Sequence, residues 1–190
     1  MEEVALKTLK DILLGRGRPN KEFEIVGGAL DETKIYTYDS LLIIFSTKTR
    51  VTEREFNNFL EFANDNNHNS GIIIISPSIP SENVLNVLRN HINEIENPLV
   101  QIFEIRHLQF DISKHRKVPK HRIISDVEKV SILKEFNLKD SSFLPKIDSQ
   151  DAMAKWIGCR PGDIVEITGL CDSTGENKRY RFCVADVTNG

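Results

Sequence analysis

His115-Arg116-Lys117-Val118-Pro119-Lys120-His121 is the stretch on which the reading of this 190-residue chain turns. Two histidines bracket a Val-Pro pair, and five Lys/Arg side chains crowd positions 114 to 122. Proline fixes its own φ and biases Val118 toward extended backbone, so the segment is expected to form a stiff strut. The chain changes character across it. Residues 1–111 carry 11 Lys/Arg and 17 Asp/Glu, a net of −6, whereas residues 112–190 carry 14 and 11, a net of +3. Halves of opposite sign point to different partners, and this length accommodates two small domains. The domain boundary is expected at 111/112.

Upstream, helix and strand alternate. Val4, Leu6, Leu9, Ile12 and Leu13 recur at helical spacing, stopped by Gly15 and Gly17. Residues 18–40 give a weak strand signal at Ile35–Tyr38, with Gly27-Gly28 as turn residues. Leu41–Ser46 reads as a buried strand. Thr52 and Glu55 form a capping box, and Phe56, Phe59, Leu60 and Ala63 line one face of the helix it opens. Four isoleucines, Ile72–Ile75, imply a strand covered on both faces. After a two-proline loop, Ser81 is expected to cap a helix with the stripe Val84, Leu85, Leu88, Ile92 and Ile95. Val100–Ile105 is the third strand. Strand–helix–strand–helix–strand implies right-handed parallel crossovers, hence an α/β domain with a three-strand parallel core, in two or three layers.

Downstream the pattern is α+β. Ser125 and Glu128 make a second capping box, and Val127, Val130, Leu133 and Phe136 are expected to face inward. Leu144–Ile147 reads as extended, Asp151–Ile157 as a short helix stopped by Gly158, and Pro161-Gly162 as a type II turn. Asp163–Thr168 and Lys178–Val187 read as paired strands around a polar turn at 172–177, giving a mainly antiparallel sheet.

Several kinds of chemistry can be weighed on the residues. Zinc needs three or four ligands; His115 and His121 have only Asp126 near them in sequence, among cations that repel a metal. Rings hydrogen-bonded to backbone groups are the expected role. Glu32-Thr33-Lys34 has the Glu-x-Lys order of magnesium nucleases, without a preceding Pro-Asp on a clear strand. Gly27-Gly28 lacks the spacing of a phosphate loop. Cys159, Cys171 and Cys183 lack zinc-knuckle spacing and read as free thiols, although Arg160 beside Cys159 would lower a thiol pKa. Trp156 reads as core. Lys178-Arg179-Tyr180-Arg181 reads either as a solvated edge strand or as a docking edge for another chain or for nucleic acid. No catalytic residue, metal site or cofactor site is expected. No run reaches the roughly 18 apolar residues of a membrane span, and the acidic, amphipathic start is no secretory signal, so cytosol or nucleus is expected.

Taken in order, these segments resemble one family, the small shared subunit of DNA-directed RNA polymerases: the fifth subunit of eukaryotes and its archaeal counterpart. The family hallmark is His, two residues, Val-Pro, one residue, His, as in His115, Val118, Pro119 and His121. The capped helix at Ser125–Phe136, the Leu-Pro-basic-Ile segment with Pro145, the Asp-led helix and the run Gly158, Arg160, Gly162 and Ile164–Ile167 follow in family order. Arg179, Tyr180 and Arg181 resemble its closing strand. The first half resembles the eukaryotic jaw domain, most closely at Pro80-Ser81. Lys117 stands where the family usually has an aliphatic residue. The first half is short, and the Arg160–Asp163 turn differs from the common cellular form. Such drift fits a large DNA virus or a divergent eukaryote.

The resemblance implies a non-catalytic subunit. Its domain at 112–190 docks on the largest polymerase subunit beside neighbouring small subunits, through His115, Val118, Pro119, His121, Pro145, Gly158, Arg160, Gly162, Arg179, Tyr180 and Arg181. Its jaw at 1–111 lies by downstream duplex DNA, with Ser78, Pro80 and Ser81 as contact candidates, since helix N-termini favour phosphate. The location implied is the nucleus for a cellular chain and the host cytoplasm or virion for a viral one. The alternatives are a magnesium-dependent nuclease-like domain or a stand-alone nucleic-acid-binding module.

Overall fold

A computed structural model describes residues 1–26, 33–66, 70–171 and 175–187. Gly27, Gly28, Glu32 and much of the 172–177 turn lie outside the described residues, as does the side chain of Cys171. The chain divides into two compact units, Met1–Asp111 and Ile112–Gly190, each with its own sheet: the fold is mixed α/β with two sheets.

In the first unit α1 (Glu2–Gly15) precedes β1 (Glu24–Val26), β2 (Thr33–Tyr38), β3 (Leu41–Ser46), α2 (Glu53–Asp65), β4 (Ile72–Ser76), α3 (Glu82–Asn93) and β5 (Val100–Glu104). The sheet order is β1-β2-β3-β4-β5. β3, β4 and β5 are parallel, the core expected from the alternating pattern, and every residue of β3 and β4 is buried. Leu42, Ile44, Ile72, Ile74 and Ile102 share one face with Phe56, Phe59, Val84 and Leu88 from α2 and α3. Across the other face, α1 reaches Gln101 on β5 through Arg16 and Tyr36 on β2 through Glu2. Three layers result.

Several expectations are corrected. The strand signal at Ile35–Tyr38 is present as β2, but it runs antiparallel to β3 with β1 outside it, so the sheet extends beyond the expected three parallel strands. α1 buries Ala5, Thr8, Leu9, Ile12 and Leu13, leaving Val4 exposed. Ser81 holds the N-cap position of α3, but its side chain makes no capping bond. That helix ends at Asn93, so Ile95 falls beyond its last turn and is exposed. Ile105 begins a 3₁₀ turn.

The second unit contains β6 (Lys120–Ile123), α4 (Asp126–Glu135), β7 (Lys146–Asp148), α5 (Ala152–Ile157), β8 (Ile164–Cys171) and β9 (Gly175–Val184), in the sheet order β6-β8-β9-β7. β8 is antiparallel to β6 and β9; β7 is parallel to β9. One face packs Val165, Ile167, Cys183 and Ile147 on Ala154 of α5. The other packs Ile124, Ile164 and Phe182 on Ile132 of α4. Both capping boxes, at Thr52 and Ser125, are present.

α4 is rotated from the expected orientation. Val127, Val130 and Phe136 are 79%, 53% and 49% exposed, and Ile132 is its buried residue. The cause is polar: Glu128 closes the capping box and binds Arg122 on β6. That holds the 128–132 side toward the sheet and turns Val127 and Val130 to solvent. β9 starts at Gly175 and ends at Val184, so the hairpin is longer than its polar sequence suggests and stops short of Val187.

Candidate functional site

The hallmark segment is less extended than its proline implies. Val118 N–H donates to the His115 carbonyl at 2.8 Å, a turn that precedes the strand. Both rings bond backbone as expected: Lys117 N–H donates to His115 Nδ1 at 3.2 Å, and His121 Nδ1–H donates to the Pro119 carbonyl at 2.8 Å. Lys117 is exposed in that turn, where a charged side chain costs nothing to solvate.

Strand register then assembles the site. His121 on β6 stands opposite Ile167 on β8, which stands opposite Arg179 on β9. Side chains at matched positions share a face, so His121 and Arg179 flank Ile167. Gly169 completes the group. A side chain there would begin 3.6 Å from Arg179 Nη2 and 3.8 Å from Pro119 Cβ, so the arginine and the proline meet over a bare backbone. Gly169 carried no sequence signal, because a lone glycine within a strand pattern marks close approach without naming what approaches.

Gly162 and Pro145 lie by the Ile164/Phe182 end of the β8–β9 ladder, with Arg160 in the turn before β8 and Gly158 at the end of α5. Gly158 ends α5 at φ 75°. Gly162 has φ 99° in a turn closed by Asp163 N–H to the Arg160 carbonyl at 3.1 Å, a conformation that favours glycine at that place. Asp163 Oδ2 accepts from Arg160 N–H at 2.7 Å, and Gly162 N–H donates to Cys183. The Pro145 carbonyl accepts from Phe182 N–H, and the Lys146 carbonyl accepts from Arg181 Nη1 at 2.9 Å. Most of the predicted residues therefore form two groups, one along the middle of the β8–β9 ladder and one by its Ile164/Phe182 end, while Tyr180 turns to the other face and bonds Glu166. Trp156 is buried, as the core reading has it. Cys159 and Cys183 are free and buried, and a hydrogen bond between them together with burial pushes the Cys159 thiol up rather than down. Arg160 contributes no activated thiol.

An ion network supports the strands. Glu166 on β8 is 5% exposed and takes a two-pronged bond from Arg122, at 2.8 and 3.0 Å. Tyr180 O–H donates to it at 3.1 Å, and Lys178 Nζ lies 3.7 Å away. Arg122 also reaches Glu128 at 2.8 Å. Hydrogen bonding from Arg122 holds the Glu166 carboxyl below the usual range; Arg122 and the Ser125 cap pull Glu128 down to about 2. Both carboxyls thus titrate lower when folded than the roughly 4.3 of an unfolded glutamate. Their stabilisation is complete above that value and is lost as pH falls toward 2. The second unit is expected to lose stability across that window, read by the fluorescence of Trp156, and Glu128→Gln should shrink the drop.

In the first unit the loops following β3 and β4 meet. Ser78 Oγ donates to the Thr49 carbonyl, and Ser76 Oγ donates to the Ser78 carbonyl at 2.8 Å. α2 and α3 both begin here. Ser81 Oγ is not used as a cap, leaving the first N–H groups of α3 without a side-chain acceptor of its own. Pro80 is half-buried and fixes the entry to the helix. Exposed Arg50 in the adjoining loop adds a cation that no sequence motif singles out. Of the Glu-x-Lys pattern, Lys34 lies on β2 and binds Glu2 at 2.7 Å.

Residues 110–183 match the family described as RNA polymerase Rpb5, C-terminal domain. DNA-directed RNA polymerase subunit Rpo5 of Sulfolobus acidocaldarius is 42% identical over 76 residues, 40% of this chain and 89% of that protein. The Rpo5 subunit of Aeropyrum pernix is 45% identical over 74 residues, covering 39% and 81%. The rpabc1 subunit of DNA-directed RNA polymerases I, II and III of Dictyostelium discoideum is 27% identical over 146 residues, 77% of this chain and 73% of its own length, so the likeness extends into the first unit. A relative 42% identical and covered over 89% of its length, with the matching family domain at 110–183, shows that the chain belongs to the RNA polymerase Rpb5 subunit family.

Proposed function

We propose that the second unit docks this chain on the largest subunit of a DNA-directed RNA polymerase, and that the first unit serves as a jaw beside incoming downstream duplex DNA. The named relatives are DNA-directed RNA polymerase subunits, and membership of their family makes the chain a non-catalytic subunit working in transcription. The observation that carries the docking reading is the meeting of Pro119 and Arg179 over Gly169, with His121 and Arg179 flanking Ile167, within the stretch that matches the family. The second group, with Pro145, Gly158, Arg160 and Gly162, offers neighbouring small subunits a separate surface. In the jaw, Ser78, Pro80, Ser81 and Arg50 offer hydroxyl, amide and cationic partners to phosphate. The first half is acidic overall, so such contacts are local. In a eukaryotic cell the chain works in the nucleus; a viral polymerase would place it in host cytoplasm or in the virion.

Purification of the chain from its native source is expected to bring down the large polymerase subunits; recovery as a free monomer would overturn the assignment. Arg179→Glu with Arg181→Glu is expected to weaken that capture roughly 30-fold, about 1 kcal/mol for each reversed charge. Undiminished capture by the double variant removes this strand from the interface.

A further inference from the structure

The ladder between β8 and β9 is longer than the sheet around it. β9 runs from Gly175 to Val184, yet on its other side β7 covers only Phe182 to Val184. Two hydrogen bonds fix the direction of each backbone group. Cys183 N–H goes to Asp163, toward β8, and Phe182 N–H goes to Pro145, toward β7. The register is unbroken from Gly175 to Phe182, so odd-numbered residues bond β8 and even-numbered residues face away. The N–H and C=O groups of Glu176, Lys178 and Tyr180 therefore point out of the sheet. Among the described residues no strand pairs with them. They make a row of three donors and three acceptors, flanked by exposed Lys178, Arg179 and Arg181.

We propose that this edge accepts an extended, acidic segment of a partner polypeptide as a fifth strand, laid along β9 in line with β7. The proposal rests on the polymerase-subunit reading and makes the donor of that segment another polymerase subunit. An extended peptide presents alternate amides about 6.8 Å apart, the spacing of the outward groups on β9. Acidic side chains suit the three cations. A second copy of this chain would set those cations against their own kind, so self-pairing is disfavoured. Nucleic acid can accept from the outward N–H groups, but its phosphates have no donors for the outward carbonyls of Glu176, Lys178 and Tyr180.

Parity makes the test specific. Proline is tolerated where a strand N–H faces solvent, so Lys178→Pro removes an edge donor and leaves the β8 ladder whole. Arg179→Pro removes a ladder bond and serves as the destabilised control. Lys178→Pro is expected to stay folded and to capture the large polymerase subunits at least about 10-fold less, whereas undiminished capture by this folded variant overturns the proposal. Residue-resolved hydrogen exchange of the unmodified chain reads the edge independently of how any variant folds. In the captured complex, the amides of Glu176, Lys178 and Tyr180 should slow about 100-fold or more relative to the free chain, while the amides of Asn177, Arg179 and Arg181 are protected in both. Capture with those three amides still exchanging as in the free chain overturns strand addition and leaves the subunit reading standing. No capture of polymerase subunits at all overturns both. Slowing of the same amides by duplex DNA alone replaces the peptide with nucleic acid and overturns the proposal as well.

Discussion

Phe56→Ala is expected to destabilise the first unit by about 4 kcal/mol, the range for truncating a fully buried phenylalanine in a packed core. Phe56 is wholly buried and belongs to the cluster that joins α2 and α3 to β3, β4 and β5. Its neighbours Leu42, Ile44, Ile72 and Ile74 are held by hydrogen-bonded parallel strands and cannot close in on the space left. The loss is one of packing rather than of helix formation, because the capping box at Thr52 and Glu55 is untouched. Urea unfolding followed by far-ultraviolet circular dichroism measures it. Val127→Ala on α4 is the contrasting change: that residue is 79% exposed, and its replacement should stay within about 0.5 kcal/mol. A loss below about 1 kcal/mol for Phe56→Ala would mean that α2 does not seal the sheet.

The contrast between those positions marks what can be read from sequence. Ile72–Ile75 announce their strand because burial on both faces needs apolar side chains at every position. Thr52 and Ser125 announce their helices because a capping box is local, four residues long and chemically explicit. The face that α4 turns inward is not local. It depends on Glu128 meeting Arg122 across the gap between helix and strand, and four apolar residues at helical spacing outvote that pairing on paper. β1, three residues long with Ile25 exposed, has no periodicity to find. The site divides in the same way. The order His115, Val118, Pro119, His121 identified the family, yet nothing in the order told that Pro119 and Arg179 share Gly169. Likewise Arg122 and Glu166 stand 44 residues apart, and such a pairing leaves no spacing rule in a single chain. Cross-strand register, which turns those separations into contacts, is fixed by the folded sheet.

Glu166→Ala is expected to destabilise the second unit by about 3 kcal/mol, the lower end of the cost of removing one partner from a buried pair. Glu166 is almost wholly covered, and its two oxygens serve Arg122, Tyr180 and Lys178 together. Arg122 is half-exposed and keeps Glu128, so it can recover part of its hydration, which holds the loss below that of a fully enclosed cation. Tyr180 loses its acceptor but keeps its edge-to-face contact with Phe136 at 5.8 Å. Glu166→Gln preserves shape and one acceptor oxygen, and should cost about half as much. Thermal unfolding monitored at Trp156 separates the two, and a loss of about 3 kcal/mol should move the midpoint by more than about 10 °C in a unit of this size. Glu166→Leu decides what the buried charge is for. If leucine restores the stability of the unmodified chain, the carboxylate is not retained for its energy. It would then be retained for where it sets Arg122, Lys178 and Tyr180, and the leucine variant should fold well yet dock poorly on its polymerase partners. If leucine is as damaging as alanine, the ion network is itself a stabilising element of the sheet, and β8 and β9 are held together in part by the carboxylate between them.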